Sequence, residues 1–245
     1  MAMQAAVIVL ADIGGYTRFM KKQETSLVHA EAVITDLIDS VIERAEHPLT
    51  LNKLEGDAVL FYALATTGNL SEVARSALAQ VNDFFKAFET RKQELAQSVL
   101  CNCGACQNVH TLSIKAVLHC GEVLLHRVRQ FEELSGTTVI VAHRLMKNHV
   151  PIKEYILVSD AFCRASGGMP GQAGTPLVED CEGIGQVDVV YYTADPNLVG
   201  PPATPNLWRR LKVMMAMMLF LIRRKLGLVP RRRFHHLPGL LPEKN

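Results

Sequence analysis

No apolar run in this 245-residue sequence is long enough for a simple transmembrane helix. The uncharged stretch Val213–Ile222 would reach about 15 Å as a helix, against a hydrocarbon core of about 30 Å. The first apolar run, Ala5–Ala11, has no basic segment before it, which argues against a secretory signal. No internal repeat stands out, and the net charge is only +2. That near-neutrality hides an asymmetry: ten of the 26 Lys and Arg lie in residues 207–245, against one acid there, Glu243. The body before them holds 16 basic and 23 acidic residues, which argues against general nucleic-acid binding. Six cysteines are present, three of them crowded into positions 101–106, which suits a metal site or reactive thiols better than a disulfide framework. A reducing, cytoplasmic setting is therefore expected.

The apolar content, 49%, is ordinary for a packed globular chain. Ala5–Ala11 reads as a buried strand, ending at Asp12-Ile-Gly-Gly-Tyr-Thr17, where paired glycines mark a turn. Residues 25–45 have helical periodicity, and so do Leu70–Leu95. Leu49–Lys53 and Ala58–Ala63 form a predicted hairpin around Glu55-Gly-Asp57, and Leu112–Leu118 and Glu122–His126 a second around Cys120-Gly121. Gly136 opens a third helical stretch, to about Asn148, followed by strands at Tyr155–Val158, Pro176–Val178 and Val187–Tyr192, with a Gly-rich loop at 166–174. This order predicts an α/β (α+β) sandwich, rich in antiparallel strands, with helices packed on one face. Residues 1–194 form the predicted domain, with a Cys-rich insert at 99–110. A Pro-rich linker at 195–206 and the basic, apolar tail at 207–245 follow.

Two acids stand out. Asp12 closes the first strand before a Gly-Gly turn whose N–H groups could face an anion, and Asp57 follows Gly56 at a hairpin tip. Two carboxylates beside a phosphate cradle suit Mg²⁺, whose shell is completed by phosphate and water. Each Asp alone reads more readily as a turn residue, so their joint geometry must decide.

Leu10-Ala-Asp-Ile-Gly-Gly-Tyr-Thr17 resembles the opening motif of class III nucleotidyl cyclases, and Lys53-Leu-Glu-Gly-Asp57 is similar to their Lys-x-x-Gly-Asp hairpin. Leu118-His-Cys-Gly-Glu-Val123, Gly136-Thr-Thr-Val-Ile-Val-Ala-His-Arg144 and Cys181-Glu-Gly-Ile-Gly185 resemble later motifs, in the family's order. The resemblance covers residues 5–193 and, with the Cys-x-Cys-x-x-Cys insert, suggests a divergent bacterial branch. It implies a ferredoxin-like sheet with helices and a head-to-tail homodimer with sites across the interface. It also implies a two-metal conversion of a nucleoside triphosphate to a 3′,5′-cyclic nucleotide and pyrophosphate. Carried over, Asp12, Asp57 and the Ile13 backbone would hold two Mg²⁺ or Mn²⁺. Gly14, Gly15, Tyr16 and Thr17 would cradle phosphates, and Arg144 would stabilise charge developing at the α-phosphate. Lys53 and Glu133 would read the base, with adenine favoured over guanine and Glu55 on the same strand face; a plain surface ion pair, Lys53–Glu55 or Lys53–Glu133, is the alternative. Two departures bear on activity: the family's ribose-orienting Asn is Ile140 here, and its phosphate-binding Lys falls on Glu182. A catalytically weak or inactive nucleotide-binding regulatory module is the alternative these departures raise.

Cys101, Cys103 and Cys106, with His110, could make a tetrahedral structural Zn²⁺ site, a redox switch or inert thiols. In the tail, bases flank the apolar stretch at both ends. The favoured reading over residues 207–233 is a shallow anchor on an anionic membrane surface, peripheral on the inner face of the cell membrane. A helix buried against protein is the alternative, with the tail as the functional part of an interaction protein. Aromatic interleaving around Arg231-Arg-Arg233 is nearly absent, so no nucleic-acid partner is expected.

Overall fold

The computed structural model describes residues 3–21, 27–66, 68–97 and 107–194, with isolated positions 211, 215, 218, 219, 222, 223 and 226. The elements in chain order begin with β1 (Met3–Gly14), α1 (Tyr16–Lys21), α2 (Leu27–Ile42), β2 (Thr50–Glu55) and β3 (Ala58–Ala65). Then come α3 (Leu70–Gln97), a 3₁₀ turn at Val109–Thr111, β4 (Ser113–Val128), β5 (Phe131–Ser135) and α4 (Thr137–Leu145). The last are β6 (Tyr155–Ser159), α5 (Asp160–Ser166), β7 (Thr175–Cys181) and β8 (Gly185–Thr193). The strands form one sheet in the order β2-β3-β1-β4-β6-β8-β7, with β5 paired to β4. Among the described residues only β4 and β6 run parallel, so the α+β, antiparallel-rich architecture expected from the sequence is the one observed.

The apolar run in β1 is continuous because both faces of the strand are covered. Val7, Val9 and Ala11 point into a core with Leu37 of α2, Phe84 and Phe88 of α3, and Phe162 of α5. Ala6, Ile8 and Leu10 point the other way, into a core with Leu60, Val117, Leu157 and the α4 residues Val141, Ala142 and Leu145. The expectation of helices on one face is therefore corrected: α2, α3 and α5 cover one face, and α4 the other. Phe84 meets Phe61 of β3 at a ring-centroid distance of 5.1 Å, which locks the long α3 to the sheet.

Three boundaries differ from those expected. β1 runs two residues past Asp12, because Ile13 and Gly14 still pair with Ile114 and Ser113 of β4. Cys120-Gly121 is not a turn: β4 continues through it, with Gly121 opposite Ala6. A Cβ at Gly121 would lie 2.6 Å from Thr138 Oγ1, so this glycine admits the first turn of α4. The chain reverses instead after Val128, where Arg129 takes φ 57°, and β5 returns along β4. The stretch before the Gly-rich loop is also helical. Ser159 caps α5 by accepting from Phe162 N–H at 3.2 Å, and Gly167 ends it in the left-handed region.

Candidate metal and nucleotide site

Strand register decides where the two acids lie. Asp12 is opposite Ala58 of β3 on one side and Lys115 of β4 on the other. Asp57 sits at the β2–β3 tip after Gly56, which takes φ +68°, and its carbonyl accepts from Ile13 N–H at 3.2 Å. That bond ties the tip to β1 beside Asp12. Burial, and next the charge of Asp12, push the Asp57 carboxyl up to about 6; its own backbone N–H and Lys115 oppose the rise. Lys115 Nζ lies 3.1 Å from Asp12 Oδ2 and donates to the Met146 carbonyl at 3.3 Å.

Lys115 was not among the residues singled out from the sequence. Finding it needed the β1–β4 register, since nothing in Ser113-Ile-Lys-Ala marks a site.

The donor set fits a hard divalent cation. Two partly buried acids lie close enough for the charge of Asp12 to raise Asp57, and the Lys115 ammonium stands beside Asp12. The Ile13 side chain is buried and its N–H donates to the Asp57 carbonyl, so any contribution of Ile13 to a metal would have to come from its backbone oxygen. Among the described residues no group of three or more His, Cys, Asp or Glu gathers, so further ligands would have to be backbone oxygens, water and phosphate. Mg²⁺ and Mn²⁺ accept such a shell.

The Gly-Gly turn follows directly. Gly15 takes φ +89°, and its carbonyl accepts from Phe19 N–H at 2.9 Å to begin α1. A Cβ on Gly14 would meet Ser113 Oγ at 2.4 Å. Tyr16 is raised above the usual phenol pKa by burial, then by Glu31 and Asp57, while Thr17 is exposed.

A second cluster forms between β2 and β5. Lys53 Nζ and Glu133 Oε2 are 2.6 Å apart, although 80 positions separate them in the chain. The β2–β3 register slips between Leu51 and Lys53, a bulge at Asn52. A bulge re-aims a side chain, and here Asn52 Nδ2 donates to the Glu132 carbonyl at 3.2 Å, beside the Lys53–Glu133 pair. Tyr62 donates to Glu132 Oε1 at 2.6 Å. The Asn52 Oδ1 atom is buried and has no hydrogen-bond partner among the described residues. Glu55 Oε2 lies 3.5 Å from His143 Nδ1.

A third cluster is at the end of α4, where Arg144 Nη1 meets Glu182 Oε2 at 2.9 Å. Ile140, one turn earlier, is exposed. His110 is exposed on the 3₁₀ turn; Cys101, Cys103 and Cys106, which the expected zinc site requires, lie outside the described residues.

Residues 34–155 match the model of a family described as a protein of unknown function, DUF2652. The uncharacterized protein Rv2561/Rv2562 of Mycobacterium tuberculosis is 35% identical over 185 residues, spanning 73% of this chain and 84% of its own. The chain belongs to the family of this relative. It also resembles solved cyclases at low identity. The adenylyl cyclase CyaB from P. aeruginosa has a TM-score of 0.59 at 15% identity, over 81% of this chain and 98% of that one. The guanylyl cyclase Cya2 gives 0.60 at 16%, over 84% and 98%. The guanylate cyclase domain of RhGC from Catenaria anguillulae, solved with GTP, gives 0.54 at 16%, over 79% and 99%. The chain thus has the class III cyclase catalytic-domain fold, as its motifs implied.

Proposed function

We propose that this chain is a nucleotidyl cyclase, converting a nucleoside triphosphate, ATP in preference, to a 3′,5′-cyclic nucleotide and pyrophosphate. The observation that carries the reading is the meeting of Asp12 and Asp57, with Lys115 as their counter-charge. Asp12, Asp57 and the Ile13 carbonyl would hold two divalent ions. When bound, these lower the pKa of the ribose 3′-OH and neutralise the triphosphate. Gly14 to Thr17 bring backbone N–H groups to the start of α1, where phosphate oxygens would lie. Lys53 would donate to a ring nitrogen of adenine and Glu133 accept from its amino group, each releasing the other. Arg144 would meet charge developing at the α-phosphate.

Residues 1–194 would act as the domain, 195–206 as a linker and 207–245 as a tail. A homodimer is proposed, with Asp12 and Asp57 of one protomer facing Lys53, Glu133 and Arg144 of its partner. Leu54, Val128, Phe131 and Ile140 are exposed apolar side chains that a second copy would cover. Among the described residues no helix is long and apolar enough to cross a membrane. The described tail positions Leu211, Met215, Met218, Leu219, Ile222 and Leu226 are exposed, which supports a shallow contact of residues 207–233 with an anionic membrane. Truncation after Asn206 should then abolish sedimentation with anionic liposomes.

The Arg144–Glu182 pair supports a second reading, a metal-dependent nucleotide-binding module with weak or no turnover. Incubation with each nucleoside triphosphate and Mg²⁺ or Mn²⁺, with products read by mass spectrometry, separates the two. A cyclic product lost in Asp12→Ala and Asp57→Ala supports the cyclase. Tight metal-dependent binding without product supports the module.

A further inference from the structure

Glu182 sits just past the end of β7, in the turn that joins it to β8. The turn is narrow: Cys181 pairs with Gly185, Ile184 N–H donates to the Cys181 carbonyl at 2.9 Å, and Gly183 and Gly185 take φ +77° and +94°. A turn built this way holds the Glu182 backbone in one place while its side chain stays 85% exposed. Arg144 is anchored on α4, which packs on β7, and its side chain is 40% exposed. Nη1 reaches the carboxylate at 2.9 Å. A guanidinium fork binds carboxylate and phosphate oxygens with the same geometry, so an acid there competes with a phosphate.

We infer that Glu182 is a built-in anion that holds the Arg144 guanidinium through Nη1 in the resting protein and yields it to the polyphosphate of an incoming ligand. The inference deepens the nucleotide reading above and rests on it only for the identity of that ligand. The carboxylate is the more exposed partner, so it can leave without disturbing the core. Its negative charge also repels a polyphosphate, which makes Glu182 a determinant of affinity at this end of the site.

The test uses two probes on the full chain: a fluorescent N-methylanthraniloyl-ATP, and inorganic tripolyphosphate. Wild type, Glu182→Gln, Arg144→Ala and the double variant are compared at low and high salt, with circular dichroism confirming that each is folded. Glu182→Gln should tighten binding of both probes by about 3- to 10-fold, the scale of a surface ion pair plus one like charge removed. The gain should shrink in high salt and vanish in the Arg144→Ala background. A folded Glu182→Gln that binds neither probe more tightly overturns the inference, as does a gain that persists without Arg144. If tripolyphosphate shows the Arg144-dependent gain while no variant binds the ATP analogue, the inference stands and the nucleotide reading falls. If wild type binds the analogue and Glu182→Gln changes nothing, the nucleotide reading stands alone.

Discussion

Asp57 sits at a half-buried hairpin tip beside Asp12 of β1, and burial and Asp12 together raise it to about 6 from 3.8. Between those values the folded chain holds a proton that the unfolded chain releases, so this residue lowers stability as pH rises from about 4 to about 6. Above about 6 the penalty stays in full. Asp57→Asn should therefore stabilise the metal-free protein at pH 7.5 by about 1 kcal/mol after allowance for solvent screening, or about 2–4 °C in Tm. The gain should fade by pH 4, and the stabilisation of wild type by Mn²⁺ should be lost in the variant. A Tm series from pH 4 to 8, with and without Mn²⁺, checks both. His119 works in the opposite direction. Burial lowers it to about 4 from 6.5, and its Nδ1 lies 2.7 Å from Ser159 Oγ. The unfolded chain takes up that proton first, so stability is lost as pH falls from about 6.5 toward 4. The two residues partly cancel over that window, and Asp57→Asn should make the acid decline visibly steeper than in wild type.

The elements that bring these residues together were legible to different degrees. The β2–β3 hairpin and its Asp57 tip could be read from Lys-Leu-Glu-Gly-Asp, because a turn glycine and alternating apolar residues are local signals. The resemblance brings Lys53 and Glu133 together at the base, and a plain ion pair between them is the alternative reading; the bulge that sets Asn52 beside them leaves no mark in composition. β5 was missed because Phe131-Glu-Glu-Leu-Ser is short and half polar, and its partner strand was split in the reading at Cys120-Gly121. That split came from treating glycine as a turn signal, whereas Gly121 serves close packing. Thr138, on the first turn of α4, donates to the Glu122 carbonyl at 2.6 Å and lies where a Cβ at position 121 would point. Gly121→Ala should force α4 away from β4 and cost about 1–3 kcal/mol, measured as a shift in the denaturation midpoint with an unchanged slope. An unchanged midpoint would mean that Thr138 rotates aside freely. Phe84→Ala on α3 should cost more, about 3–5 kcal/mol, because it empties the opposite core against Phe61.

For the whole molecule, the proposed division of labour between two copies has a consequence that no single chain shows. If the metal acids of one protomer work with Arg144 of the other, each site in a homodimer draws on both chains. Asp57→Ala homodimers then lack metal ligands at both sites, and Arg144→Ala homodimers lack the guanidinium at both. A mixed dimer concentrates both defects in one site and leaves the other with Asp12, Asp57 and Arg144 intact. Equal amounts of the two variants, allowed to exchange subunits at random, give mixed dimers in about half the population, each with one competent site. Activity should rise from near zero for either variant alone to about one quarter of wild type at the same total chain concentration. If both residues served the same protomer's site, every site in the mixture would still be broken and nothing would be recovered. The wild-type rate should also fall faster than linearly on dilution below the dimer dissociation constant, a loss that added Asp57→Ala chain would partly reverse by supplying Arg144.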